Sequence, residues 1–515
     1  MARQEKGEGY KETRQKSELK FSVSKLRIKN ARLTGEWRCW TEVRDSVGID
    51  RQRGAARAKA KFDYEIVPPS LEFDFWAELR DGNEREKVLL TLVLTAMEKL
   101  DLSVGAKGGS GFGTFQLQLH KVVELDLHEK QVLLRFLLKR DEFVRKSEGK
   151  SWEDWRKDIL QNQSFSVRTD VSYHRIPQVF IFTYRLIVED PLLVATQRVE
   201  PMLAFESLIS RHGEDLRQRE KQELDAVWIG VGKDLDMKDW KPVIPGPSVR
   251  GVFRNHCERI LRTLAWHYAE GDRDKYKNHC TANVDPWQPN EQLQNQTREE
   301  WERNTRGEGT VEEKWHEAGK KVTSLVWDGS DLAERMFGSS LWKSLVNVSE
   351  VYFSEDGTQE WQDMLFDHLA VERFSGGAME GKKFDALPIT KATFEGKIAV
   401  WGDQLWMIGL VALFFKDLSE GLVRFGSGKT RGYGKLMGWL LKVEAFLLPK
   451  TQLANRLKIE VEKGKAWQHK CWQIPNDRPF PKCLQDENLS DLKELLSEGV
   501  KEMNKQVEQF IRQGA

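Results

Sequence analysis

Two glycine-rich stretches and one proline–glycine turn hold the residues best suited to grip an anion. In Gly426-Ser427-Gly428-Lys429-Thr430-Arg431-Gly432-Tyr433-Gly434, closely approachable backbone sits beside Arg424, Lys429, Arg431 and Lys435. Glycines let a nucleic-acid backbone come near peptide N–H groups while the cations neutralise its phosphates; the plainer reading is a tight connection. The run is not a nucleotide-binding P-loop. That motif needs a glycine five residues before the second one, and Val423 stands there. The stretch also follows an expected helix and precedes an expected strand, the reverse of the order that aims a helix N-terminus at phosphate. A second glycine run, Gly105-Ala106-Lys107-Gly108-Gly109-Ser110-Gly111-Phe112-Gly113, carries Lys107. The third candidate is Ile244-Pro245-Gly246-Pro247-Ser248, where Ser248 can cap a helix whose first turns present Arg250 and Arg254. Unpaired N–H groups beside two cations suit a phosphate; the alternative is an ordinary Pro/Ser helix start. No Ser-His-Asp or Cys-His arrangement for nucleophilic catalysis stands out.

The two glycine runs fall on a repeat. Asp50-Arg51-Gln52-Arg53-Gly54-Ala55-Ala56 aligns without a gap on Glu372-Arg373-Phe374-Ser375-Gly376-Gly377-Ala378 at an offset of 322, and the two glycine runs align at 321. Each unit then shows an alternating strand (71–79; 393–401), a helix (84–100; 404–418), the glycine run and a closing strand (113–123; 434–447). The second unit extends upstream through a strand at 179–188 and an amphipathic helix at 248–269. The first has no counterpart to either and reads as a half-domain. The expected organisation is a partial unit at 1–125, a charged connector at 126–175 and a complete unit at 176–447. Within the complete unit, 270–330 reads as a long insertion or partly disordered loop; a C-terminal extension at 448–515 follows. The extension ends in an amphipathic helix, capped by Ser490, whose stripe docks on its own chain or on a partner.

The chain of 515 residues is 39% hydrophobic and 31% charged, enough apolar material for several cores. A membrane span takes ~18 or more consecutive apolar residues; the best run, Met407 to Phe415, has nine. The charged first twenty residues show no secretory pattern, and five scattered cysteines suit a reducing compartment. A multi-domain cytoplasmic protein without a membrane partner is expected. Net charge is only +1, but residues 1–62 hold 17 Lys+Arg against 8 Asp+Glu, and residues 421–450 hold 6 against 1. Basic charge gathered on selected segments is either a polyanion-binding footprint or a solvated surface.

Taken in order, these motifs resemble the RAMP superfamily of CRISPR effector proteins, and more narrowly the repeated backbone subunit of type III complexes in its fused, type III-D-like form. The segment Ile244 to Arg254 resembles the family's I-P-G-S-S-x-x-G-x-x-R element; Leu369 to Ala378 and Val47 to Ala56 resemble its thumb-hairpin motif, the glycine runs its terminal loop, and Phe337-Gly338-Ser339 a smaller signpost. The resemblance implies an α+β fold of ferredoxin-like, RNA-recognition-type (RRM-like) RAMP domains, one partial and one complete, with thumb β-hairpins and a C-terminal helix. It implies guide RNA gripped at Arg51, Arg53, Lys107, Gly111, Ser248, Arg250, Arg254, Arg373, Gly426, Lys429, Arg431 and Gly432, with complementary target RNA and other subunits of an effector complex as further partners. It also implies an aspartate between Pro191 and Lys241 that cleaves target RNA with a divalent metal, Mg²⁺; Asp225 fits the family's context best and Asp236 is the runner-up. The same fold without cleavage, a guide-binding scaffold, is the competing expectation. Relatives carry a zinc knuckle, but here Cys280 lacks a second cysteine at C-x-x-C spacing, so zinc is not expected.

Overall fold

The computed structural model describes residues 24–34, 42–49, 56–67, 71–99, 103–161, 178–194, 227–230, 240–273, 291–306, 310–354, 361–447, 453, 457, 468–475 and 480–512. Among them no helix is long and apolar enough to cross a membrane. The fold mixes helices and antiparallel sheet.

The first unit opens with β1 (Leu26–Ile28) and β2 (Arg32–Leu33), then the strands β3 (Glu42–Ile49) and β4 (Ala56–Ile66), then β5 (Phe73–Asp74) and β6 (Ala77–Leu79). β1 pairs with β6, β2 with β5, and β3 with β4. Helix α1 (Glu84–Lys99) follows. Its start is fixed reciprocally: the Glu86 N–H donates to Asn83 Oδ1 at 2.9 Å, and the Asn83 N–H donates to the Glu86 carboxylate at 2.8 Å, so two otherwise orphaned donors are satisfied. The Asn83 N–H, with the Lys25 ammonium also donating to this carboxylate, holds the Glu86 carboxyl below its ordinary pKa. After the glycine run come β7 (Lys121–Val122), α2 (Lys130–Lys146), β8 (Lys150–Ser151) and α3 (Trp152–Gln161). The described part of the expected connector, 126–161, carries α2 and α3, and α3 packs on α1, with Trp155 Nε1 donating to Thr91 Oγ1 at 3.2 Å.

The second unit is built on β9 (Val179–Val188), β10 (Val227–Gly230), β11 (Trp240–Ile244), α4 (Gly246–Tyr268), α5 (Glu291–Thr305), α6 (Val311–Asp328), α7 (Leu332–Phe337), β12 (Val346–Val348), β13 (Val351–Phe353) and β14 (Gln362–Asp363). It continues through β15 (Phe366–Val371), β16 (Ala378–Ala386), β17 (Ile389–Lys391), β18 (Thr393–Trp401), α8 (Leu405–Ser419), β19 (Leu436–Leu447), β20 (Gln468–Gln473) and α9 (Ser490–Arg512). Eight strands form one sheet in the order β10-β11-β13-β18-β9-β19-β20, with β12 also on β18. β9 lies in the middle, so it is apolar at nearly every position. Phe182 and Tyr184 pack on Phe415 of α8 at ring distances of 6.0 and 5.6 Å, while Val179 and Ile181 meet Ala399 on the opposite face. α8 is apolar around its circumference because the sheet, α4 and α9 enclose it. The C-terminal stripe docks on its own chain: a Cβ on Gly409 would lie 2.1 Å from the Gly499 carbonyl carbon, so only glycines allow α8 and α9 this approach.

Several expectations are corrected. α4 begins at Gly246 with Pro245 at the N-cap position, so Ser248 lies inside the first turn and caps nothing. Ser490 is the first residue of α9 rather than its cap, because its own φ and ψ are already helical. The 270–330 stretch contributes two antiparallel helices, α5 and α6, the latter started by the reciprocal pair Thr310 and Glu313. The closing strand expected at 113–123 reduces to Lys121–Val122, paired with β8. A strand needs a neighbour for its ladder, and among the described residues the first unit has no equivalent of β9.

Candidate nucleic-acid interface

The two glycine runs share one backbone path. φ is positive at Gly105, Lys107, Gly111 and Gly113 (93°, 61°, 90°, 73°) and at Gly426, Gly428, Gly432 and Gly434 (68°, 72°, 93°, 83°). Each contains one turn of 3₁₀ helix, closed by Ser110 N–H to the Lys107 carbonyl and Arg431 N–H to the Gly428 carbonyl, both 2.8 Å. Each is pinched at its base, where a Cβ on Gly113 or Gly434 would lie 1.9 Å from the Val104 or Phe425 carbonyl oxygen. The hairpins repeat equally closely. Val47 pairs Lys61 and Ile49 pairs Ala56 across a register shift, as Leu369 pairs Lys383 and Val371 pairs Ala378. Lys59 (φ 60°) takes the left-handed conformation held by Gly381 (φ 68°).

In the second unit the glycine loop sits at the root of the β15–β16 hairpin. Tyr433 Oη and His368 Nε2 are 2.7 Å apart, and the Arg431 guanidinium stacks over Phe384 and Tyr433 at 5.3 and 5.8 Å. Lys429 and Gly432 are exposed, and a Cβ on Gly432 would meet nothing within 4 Å. Partial desolvation lowers the Lys429 pKa although the side chain remains open to solvent. Gly426 is held from below, where a Cβ would lie 2.2 Å from the Leu193 carbonyl oxygen. At the hairpin tip Arg373 is exposed and Phe374 is 100% exposed, on a turn closed by Gly376 N–H to the Glu372 carbonyl at 2.9 Å. Phe374, Tyr433 and His368 were not among the sequence candidates. Their signal was the aromatic and histidine content of the hairpin segment and of the glycine run.

The first unit uses the same parts differently. Lys107 donates to Tyr64 Oη and stands 4.1 Å from the Tyr64 ring centroid. The loop then seats on the start of α4. A Cβ on Gly246 would lie 2.2 Å from the Ser110 carbonyl oxygen, and one on Gly111 2.7 Å from that of Val348. Arg250 spans the seam, donating to the carbonyls of Gly109 (2.8 Å), Val346 (3.0 Å) and Phe337 (2.6 Å) and to Ser344 Oγ (3.1 Å). Arg254 donates to Glu258 at 2.8 Å and to the Gly338 carbonyl at 3.2 Å. The proline–glycine turn and the first glycine run, read separately as anion sites, thus meet each other, joined further by a buried ion pair between Arg44 of β3 and Glu350.

Arg51, Arg53, Asp225 and Asp236 lie outside the described residues, as do His279 and Cys280. Cys257 is buried in the core, which pushes its thiol pKa well up. Among the described residues no group of three or more His, Cys, Asp or Glu side chains is placed to hold a metal ion.

No curated protein matches the sequence. Residues 13–116 and 224–436 match the RAMP superfamily, two regions that together span more than half of the chain and contain the two hairpin-and-glycine-loop units. With these two matched regions and its doubled loop and hairpin geometry, the chain belongs to the RAMP superfamily, which is associated with CRISPR effector complexes and RNA binding.

Proposed function

We propose that the chain is a backbone subunit of a type III CRISPR ribonucleoprotein that holds guide RNA at the 428–432 loop and cuts the paired target RNA. The observation that carries this reading is the open copy of the glycine loop, with exposed Lys429, Arg431 and Gly432 at the root of a hairpin tipped by Arg373 and a wholly exposed Phe374. Backbone N–H groups and cations bind phosphates whatever the base. An aromatic ring on a projecting arm stacks with any base that a duplex releases, which suits a thumb that interrupts guide–target pairing. The order β13-β18-β9-β19 with α4 and α8 as the crossing helices supports a ferredoxin-like core. In this reading Asp225 would hold a divalent cation, which would supply charge stabilisation at the scissile phosphate.

The test is the RNA that copurifies with the assembled complex and its response to complementary RNA plus Mg²⁺. Replacing Lys429 and Arg431 by alanine should weaken binding to unrelated RNA sequences equally and lower the salt slope by roughly two. Asp225→Ala and Asp225→Asn should abolish one discrete cut with guide and target still bound, and Asp236→Ala should be nearly silent. Loss only with Asp236→Ala moves the assignment to that residue. Full cleavage by all three leaves a scaffold that binds RNA without cutting it.

A further inference from the structure

Six apolar residues of the first unit lie open to solvent at positions whose counterparts in the second unit form its core. Leu26, Ile28, Phe73, Leu89, Val93 and Val104 are between 38% and 66% exposed. The repeat and the strand registers place them on Val346, Val348, Phe394, Leu410, Phe414 and Phe425, each at most 1% exposed. What covers those counterparts is known. Phe394 pairs across to Leu186 of β9, Phe414 packs on Phe253 of α4 at 4.6 Å between ring centroids, and Phe425 precedes Gly426, which rests on the Leu193 carbonyl just beyond β9.

The backbone repeats the contrast. β18 is laddered along its whole length to β9, but its counterpart β6 pairs only with β1 among the described residues. Phe115, Leu117 and Leu119 alternate with polar residues as a strand does, yet apart from the single bridge Ser103–Thr114, residues 113–120 join no ladder. A Cβ on Gly105 would meet nothing within 4 Å, where one on its counterpart Gly426 would strike the Leu193 carbonyl. By contrast, the α1 face equivalent to the α9-packed face of α8 is covered: Val88, the counterpart of Gly409, is buried, and α3 packs on α1. The vacancy has the outline of one strand and one helix.

We infer that the first unit is completed in trans by the strand and helix of another RAMP-superfamily chain. The donor's chemistry follows from the second unit. It is a strand of about ten residues, apolar at nearly every position, that enters between β6 and the 113–120 segment. A carbonyl just past its end fills the space above Gly105, and an amphipathic helix places an aromatic residue on Leu89 and Val93. The segments of this chain outside the described residues are a poor source. The longest, 195–226, is strongly charged, and none contains an apolar stretch like Val179 to Val188. The chain's own β9 and α4 are already the middle of the second unit. This inference rests on the repeat and not on RNA binding, so it stands or falls independently of the proposed activity.

Photo-cross-linking in the assembled complex tests it. A benzophenone amino acid replaces Val93 in the full chain, with the same replacement at exposed Trp315 as a control; complexes carry a mixture of isotopically light and heavy copies of this chain. The expected product from Val93 joins this chain to a different polypeptide, at an apolar strand or at the helix that follows it, and is absent from the Trp315 control. A cross-link within the same polypeptide, to a second copy of this chain, to RNA, to another part of a partner, or no cross-link at all overturns the inference. The double variant Leu89→Asp/Val93→Asp should lower retention of that same polypeptide roughly tenfold or more while the second unit's amide-exchange protection is kept; undiminished retention counts against the inference. If the double variant does not fold, the cross-link alone decides.

Discussion

Arg44 and Glu350 show how much a single buried pair contributes to joining the two units. Both side chains are nearly inaccessible, and Glu350 also accepts from Tyr352 Oη at 3.2 Å. Removing one member leaves the other charge buried without compensation, which costs about 3–5 kcal/mol. Glu350→Ala should therefore lower the denaturant midpoint and expose the base of the β3–β4 hairpin to protease; an unchanged midpoint would show that the pair contributes little. Asp331 is a different case. Burial, with Glu334 and Glu258 nearby, pushes its carboxyl up to about 7. A carboxyl raised in the fold stabilises it at low pH, and that contribution is lost as pH climbs from about 4 through 7. Asp331→Asn keeps the acceptor for the Glu334 N–H, now at 2.7 Å, and cannot ionise. The variant should gain on the native protein by roughly 1–4 kcal/mol between pH 4 and pH 8, read from unfolding curves at each pH. Parallel pH profiles would refute it. None of these three residues was singled out from sequence, since isolated acids and arginines look alike until their surroundings are built.

At the scale of elements, the β15–β16 hairpin isolates one function in one arm. Phe374 is wholly exposed, so Phe374→Ala should leave stability unchanged. It should weaken binding of a guide–target duplex by about 1–3 kcal/mol, the range for a base stacked on an aromatic ring, with guide alone bound as before. Equal affinity of both proteins for the duplex would remove the wedge role. Strands β9 and β18 and helices α1 and α8 were legible to within a residue because hydrophobic periodicity persists over nine or more residues in each. Elements that depend on a neighbour were not. The alternation at 113–123 is that of a strand, but no ladder forms without a facing edge. Ser248 reads as a cap because serine favours that position, whereas proline is equally suited to a first turn and the helix starts two residues earlier, at Gly246.

For the molecule as a whole, the decisive contact is the seat of the 108–111 loop on the start of α4. Gly246→Ala adds a methyl group 2.2 Å from the Ser110 carbonyl oxygen and 3.2 Å from the Gly111 Cα, so backbone on one side has to move, at a cost of about 1–3 kcal/mol. Amide exchange should quicken across 103–113 and in β3–β4 while the large sheet stays protected; native exchange rates there would show that the seat is not what couples the units. Sequence by itself determined that the chain repeats, where each repeat turns, and that the long periodic runs β9, β18, α1 and α8 are strand or helix, because those properties are carried by local spacing and by glycines that only certain backbone angles require. It also marked Arg250 and the first glycine run as anion-binding candidates, since free cations and free N–H groups are what a sequence displays. Only the tertiary structure decided that these two satisfy each other across a seam, leaving the 428–432 loop as the open copy. A hydrogen bond's partner is set by which distant segment arrives at 3 Å, and no local pattern encodes that arrival.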